Sequence, residues 1–376
     1  MSADPRPTVL HYAHQHGSGH VRHAANLVRA DVADVTVATA HPDAASMLPP
    51  GADTVALPPD LVGGHVQPAR SPLHWSPVGP AIRERFAVLH DAARRVRPDV
   101  CVVDVSVEAA LFLRLAGFPV AHRRMHGDRT DAAHRLVYAE ADALFAHYRE
   151  PLEDPAWQAE FGGRTVHLGV PDVDGRLGRA ARPAQEGVGL HADGTASSGA
   201  APRVVAVTGT GGGGVAVADL ARAARQTPGA DWHVIGPVRD APDPDAGGGP
   251  ALPANLTLHG WTDDVAAALV GADAVVVSAG HNAAVDAARC GRPVVLAPEA
   301  RPFAEQLRFA EAVERAAGVP WCAWEDPAAD WAGALGRALG EPAAADRMAA
   351  ALLTPPAEYA RAWRRVLETA AAAERR

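Results

Sequence analysis

The segment His16-Gly17-Ser18-Gly19-His20 directly follows the apolar run Thr8–Tyr12 and opens a helical stretch from about Val21 to Arg29. Two glycines let the backbone turn tightly and approach a ligand closely. The helix start presents free N–H groups and positive potential, which favours the neutral imidazole that a general base requires. His20 is the candidate base and Gly19 a candidate backbone contact. His11, His14 and His16 read as ordinary structural or surface histidines. Four histidines in ten residues raise metal binding, yet no carboxylate or cysteine completes a recognisable ligand set, and no metal is expected.

A second glycine-rich turn, Thr208-Gly209-Thr210-Gly211-Gly212-Gly213-Gly214, follows the strand-like run Val204–Val207. Strand, glycine turn and helix together form a generic phosphate cradle. It is not the dinucleotide fingerprint, and no acidic residue follows at the expected distance, which disfavours a nicotinamide enzyme.

The most specific constellation is Ser278-Ala279-Gly280-His281-Asn282-Ala283-Ala284-Val285-Asp286, followed by Gly291-Arg292-Pro293 and Glu305-Gln306. A helix starting near His281 can face a diphosphate, with Ser278, His281 or Asn282 adding side-chain donors and Gly280 clearing space. Asp286, about one and a half turns on, can accept both hydroxyls of a ribose. A carboxylate beside an amide, Glu305-Gln306, suits the reading of sugar hydroxyls.

Two alternating strand–helix series must position these residues. Val35–Ala38, Thr54–Leu57, a helix over Ile82–Val96, the apolar run Val100–Val103, Ala109–Leu115, Val120–Ala121 and a helix around Ala132–Ala139 make up the first. Val204–Val207, Val217–Gln226, Trp232–Ile235, Leu256–Leu258, Val265–Val270, Ala274–Val277 and Val294–Leu296 make up the second. The pattern predicts two Rossmann-like, doubly wound parallel-sheet domains of the α/β class, facing each other across a cleft at the strands' carboxyl ends. The expected division is an acceptor domain over 1–172, a linker over 173–202, a nucleotide-sugar domain over 203–354 and a C-terminal helix over 355–376. The linker is drawn from the Gly-, Ala-, Ser- and Pro-rich segment 171–202. The last helix carries Tyr359, Trp363, Val366 and Leu367 on one face, suited to packing back on the first domain or within its own.

Composition narrows the chemistry. The 376 residues, 48% hydrophobic, suffice for two cores. A net charge of −9 argues against nucleic-acid partners. All 35 basic residues are arginine, so a Walker-type loop, a pyridoxal Schiff base and a lysine nucleophile are excluded. Cys101, Cys290 and Cys322 lack metal spacing and read as free thiols. No apolar run reaches membrane-spanning length, and a cytoplasmic location is expected. The Ile82–Arg97 helix and the Trp75 loop leave peripheral membrane contact open, beside the commoner reading of a solvated amphipathic helix.

These motifs resemble the GT-B glycosyltransferase superfamily, closest to family 28, which includes the lipid-II-forming N-acetylglucosaminyl transferase. The resemblance covers both halves and is stronger from Gly209 to Ala310. It carries the base onto His20 and the phosphate loop onto Gly209, Thr210, Gly211 and Gly212. The segment Trp261-Thr262-Asp263-Asp264 matches the family's aromatic–aliphatic–Asp-Asp segment, placing Trp261 or Thr262 beside uracil. Asp286 stands for the family's ribose glutamate, and Glu305-Gln306 for its Gln-Gln pair. His281 and Glu305 depart from the family pattern, and the segment Gly63–Gly79, with His65, His74 and Trp75, matches nothing in it. The resemblance implies a bacterial, metal-independent, inverting hexosyltransferase with a UDP-sugar co-substrate, no further cofactor, and a small-molecule or lipid-linked hydroxyl acceptor. Rival readings are a UDP-sugar hydrolase, in which water replaces the acceptor, a UDP-sugar 2-epimerase, and a non-catalytic nucleotide-sugar-binding partner of another transferase.

Overall fold

The computed structural model describes residues 6–15, 17–60, 78–177, 179, 181–182, 188–197, 200–209, 214–241, 251–262 and 265–375. Within these, the chain builds two separate parallel sheets. The first contains β1 (Thr8–Ala13), β2 (Asp34–Thr39), β3 (Asp53–Ala56), β4 (Val100–Val103), β5 (Val120–Arg123), β6 (Ala143–Ala146) and β7 (Thr165–His167). Their spatial order is β3-β2-β1-β4-β5-β6-β7. The second sheet contains β8 (Arg203–Val207), β9 (Asp231–Ile235), β10 (Leu256–Gly260), β11 (Ala274–Ser278) and β12 (Val294–Ala297). It runs β10-β9-β8-β11-β12.

Every residue of β4, β5, β6 and β12 is buried, as expected of parallel strands covered by helices on both faces. The expected α/β fold class is therefore present. β6 and β7 extend the first sheet beyond the alternation legible in the sequence. They are four and three residues long, too short for periodicity to separate from helix or loop. Among the described residues no helix is long and apolar enough to cross a membrane. The helix Pro80–Val96 buries Leu89, Ala92 and Ala93 and leaves Arg94 and Arg95 exposed. Trp75 lies outside the described residues.

In each sheet the strand order reverses beside the first strand, between β1 and β4 and between β8 and β11. Loops leaving adjacent strands in opposite directions open a crevice at that point. The turn before His20 leaves β1, the glycine-rich turn leaves β8 and Ser278 ends β11. All three belong to the two reversal points.

The start of the connecting segment is docked on the second domain. The Asp172 carboxylate accepts the backbone N–H groups of Arg176 and Leu177, each at 2.8 Å. Arg176 in turn pairs with Asp346 at 2.6 Å. A short parallel pairing of Val170–Pro171 with Leu353–Thr354 brings the end of the second domain back to this point. The final helix, Pro356–Ala371, then lies on the first sheet. Trp363 is fully buried there, its ring 4.9 Å from that of Phe145.

Replacing this side chain opens a large hole in the face of the first sheet. Trp363→Ala should lower the unfolding free energy by about 3–5 kcal/mol. Urea unfolding measures it, and a loss below about 1 kcal/mol would show that the helix contributes little to that core.

Candidate functional site

His20 is the second residue of the helix Gly19–Ala30. Its Nδ1 lies 3.1 Å from Oδ2 of Asp104, with the imidazole 16% and the carboxylate 1% exposed. Asp104 directly follows β4, so the two residues come from the strands that flank the reversal point. The other carboxylate oxygen, Oδ1, accepts a hydrogen bond of 2.8 Å from Nη1 of Arg123, the last residue of β5.

The turn after Asp104 fixes its direction. The Asp104 N–H donates to the Tyr12 carbonyl at 3.0 Å, and Ser106 N–H donates back to the Asp104 carbonyl at 3.0 Å. Between them Val105 has a φ of 61°, a conformation that a β-branched residue adopts only under constraint. Ser106 then caps the next helix by accepting the N–H of Ala109 at 3.2 Å.

Burial pushes the Asp104 carboxyl up. The Arg123 guanidinium, followed by His20, outweighs burial and holds the group well below the usual carboxylate range. With a carboxylate facing Nδ1, the proton of neutral His20 belongs on that nitrogen, and Nε2 is left with the lone pair.

Histidines crowd behind this pair. The His23 and His147 rings stack at 3.8 Å, 7° from parallel, and the His281 ring centroid is 5.3 Å from that of His23. His281 opens the helix His281–Cys290 of the second domain, and its Nε2–H donates to the His147 carbonyl at 2.8 Å. Here His281 points to the first domain, whereas the sequence suggested a phosphate donor. Burial pushes His11 down to about 4 and His281 down to about 3, and pushes His23 and His147 well below the ordinary range.

The other expected site residues fall into three groups. Gly19, Ser278, Gly280, His281, Asn282 and Asp286 lie where the first helix faces the start of the His281–Cys290 helix. A Cβ on Gly19 would stand 2.5 Å from Nδ2 of Asn282, so a larger residue there would displace that side chain. Asp286 Oδ2 is 3.4 Å from Nη1 of Arg22 in the first domain. Glu305 and Gln306 lie beside Gly280, and Gln306 Oε1 accepts the Glu299 N–H at 2.9 Å. Glu305 Oε2 is held 2.8 Å from Nη2 of Arg129, again across the cleft. It follows two non-glycine residues in the left-handed region, Phe303 (φ 61°) and Ala304 (φ 50°). Trp261 and Thr262 follow the edge strand β10, apart from the rest. Trp261 is 72% exposed and lines an apolar pocket of about 280 Å³ with Pro237, Val238, Leu258 and Gly260. Thr210, Gly211 and Gly212 lie outside the described residues, as do His16, His65 and His74. Among the described residues, no three His, Cys, Asp or Glu side chains converge to hold a metal.

Asp104, Arg123, Arg22 and Arg129 are the site residues that the sequence did not single out. Only Asp104 left a signal, as a carboxylate directly after a buried apolar run.

No protein-family model matches the chain, and no curated protein matches it in sequence. Solved structures do match in shape. The glycosyltransferase of kitacinnamycin shares 20% identity at a TM-score of 0.55, covering 99% of this chain and 98% of that one. A UDP-glucosyltransferase from Polygonum tinctorium, capable of glucosylating indoxyl, shares 14% at a TM-score of 0.62, covering 97% and 98%. MurG of Acinetobacter baumannii shares 13% at 0.54, covering 97% and 99%. The chain has the GT-B fold. In GT-B terms, the His20–Asp104 pair belongs to the first Rossmann-like domain and the Ser278–Asp286 segment to the second.

The buried histidine cluster beside the domain contact makes stability pH-dependent. Its members are neutral in the folded chain, whereas in the unfolded chain histidine titrates near 6.5. Their contribution is complete above about pH 6.5 and is lost as pH falls from there toward 4, because the unfolded state takes up protons first. Unfolding free energy measured in urea should therefore fall steeply over that window. His147→Phe, which keeps the stack on His23, should reduce the slope by about one proton, or ~1.4 kcal/mol per pH unit. An unchanged slope would show that His147 is not held neutral.

Proposed function

We propose that this protein is an inverting glycosyltransferase that moves a hexosyl group from a UDP-sugar to a hydroxyl of a small-molecule acceptor. The observation that carries this is the His20–Asp104 pair at the reversal point of the first sheet, directly opposite the N-terminus of the His281–Cys290 helix. UDP rather than another nucleotide, and a small acceptor rather than a lipid-linked one, are favoured by the indoxyl-glucosylating UDP-glucosyltransferase that shares the fold.

In this reading Nε2 of His20 takes the proton of the acceptor hydroxyl. The acceptor oxygen bonds to the anomeric carbon as the bond from that carbon to the diphosphate oxygen breaks on the opposite face, inverting the configuration. Asp104 stabilises the imidazolium that forms, without itself taking the proton. The charge arriving on the nucleoside diphosphate meets the free N–H groups of the His281–Cys290 helix, cleared by Gly280 and supplemented by Ser278 and Asn282. Asp286 accepts the ribose hydroxyls, and Glu305 with Gln306 reads the sugar. Trp261 and Thr262 offer the base a surface at the adjoining apolar pocket.

Of the ion pairs that span the cleft, Arg22–Asp286 and Arg129–Glu305 engage candidate donor ligands. Donor entry exchanges each of these for a contact with the donor, so cleft opening and donor binding are one event in this scheme.

His20→Ala should reduce turnover by about 10²–10⁴ while donor affinity, measured by calorimetry with UDP, stays within about twofold. Asp104→Asn should fall in the same range, through loss of the correct tautomer. Turnover unchanged in His20→Ala would sink the assignment. Rapid release of free sugar without any acceptor would instead identify a hydrolase. Asp286→Ala should raise the donor KM about tenfold or more with a smaller change in kcat, the cost of removing a charged hydrogen-bond acceptor. An unchanged KM would remove Asp286 from the donor site.

A further inference from the structure

Asp104 is encircled by ionisable groups, and only one of them is permanently charged. His20 and His23 approach it from the first helix, His11 from β1, and His147 and His281 lie behind them. His14 stands at the edge of His20, ring centroids 5.8 Å apart, and itself faces Asp60 at 3.5 Å. Arg123 comes from β5. Burial pushes His11, His23, His147 and His281 toward the neutral form, so they do not balance the charge of Asp104. Arg123 has a guanidinium that does not titrate in proteins, with 5% of its side chain exposed.

The contact is specific in its atoms. Arg123 Nη1 meets Oδ1 of Asp104 and His20 Nδ1 meets Oδ2, so the two partners do not compete for one oxygen. Arg123 Nε is buried without a hydrogen-bond partner among the described residues. Burying such a pair adds little stability compared with an apolar replacement, and a pair retained beside a candidate base suits a role in proton affinity.

We propose that Arg123 is a positioning residue for the reaction. It takes one oxygen of Asp104 so that the other faces His20, and by sharing the carboxylate charge it weakens the hold of His20 on the proton it accepts. This rests on His20 acting as the base. Without Arg123, His20 would be the one remaining close partner of the buried carboxylate, and the pairing would favour the imidazolium more strongly.

The decisive measurement is an NMR titration of His20 in protein labelled at histidine Cε1, the resonance assigned by its loss in His20→Gln. In Arg123→Met the His20 midpoint should rise by about one pH unit. The acid limb of kcat should move up by a similar amount, with the donor KM within about twofold. Arg123→Lys, which keeps the charge but not the planar fork, should fall between the two. An unchanged or lowered midpoint in folded Arg123→Met overturns the proposal. So does a raised donor KM at constant kcat, which would make Arg123 a donor ligand. If Arg123→Met does not fold, Arg123→Lys decides: a rise of about half a unit supports the proposal and no rise overturns it. The titration needs no turnover, so it is read separately from the activity of His20→Ala, on which the functional reading depends.

Discussion

A carboxylate with almost no access to water is held ionised at the end of β4 by an arginine hydrogen-bonded to one oxygen and a histidine close to the other. Asp104 has two oxygens to supply and takes one partner for each, a guanidinium from β5 and an imidazole from the first helix. Without them, burial would drive a proton onto the acid. The strained turn at Val105 aims the carboxylate, and Ser106 caps the helix that follows, so local backbone geometry and electrostatics are solved in one tripeptide.

The first helix is also one of the places where the domains meet. The helix that carries His20 also carries Arg22 and His23 toward the second domain, and Gly19 allows Asn282 to approach without a clash. His281 replies with a hydrogen bond to the His147 carbonyl. Polar contacts of this kind lie beside apolar packing of His126 and Tyr148 near Phe309. They suit an interface that must open for a ligand, whereas the apolar seal made by Trp363 and Tyr359 suits one that need not. The chain uses both, with the apolar seal at the back of the first sheet and the polar contacts at the mouth of the cleft.

The absence of lysine has a visible consequence in this arrangement. Each cation that bridges the domains near the mouth is an arginine, Arg22 to Asp286, Arg129 to Glu305 and Arg308 to Asp128. Arg129 also lies over the Phe303 ring, 4.7 Å from its centroid. A planar guanidinium can pair and stack at once, which a compact ammonium does less well.

The parallel-sheet architecture was legible in the sequence because buried parallel strands are continuous apolar runs, and runs such as Val100–Val103 and Ala274–Val277 stand out. The placement of His20 and Gly280 in the turns after such runs was legible for the same reason. β6 and β7 were not, being too short for any period to show. Nor could local spacing disclose that Asp104, 84 positions after His20, is the group facing its Nδ1. That pairing exists because β1 and β4 are neighbours in the sheet, and strand order is decided by how all the helices and strands pack together. The same holds for Arg123 and for the ion pairs that close the cleft. Sequence determined most of the strands and the candidate turns beside them; only the tertiary structure decided which charges face one another, because a charge pair depends on distance through space and not along the chain.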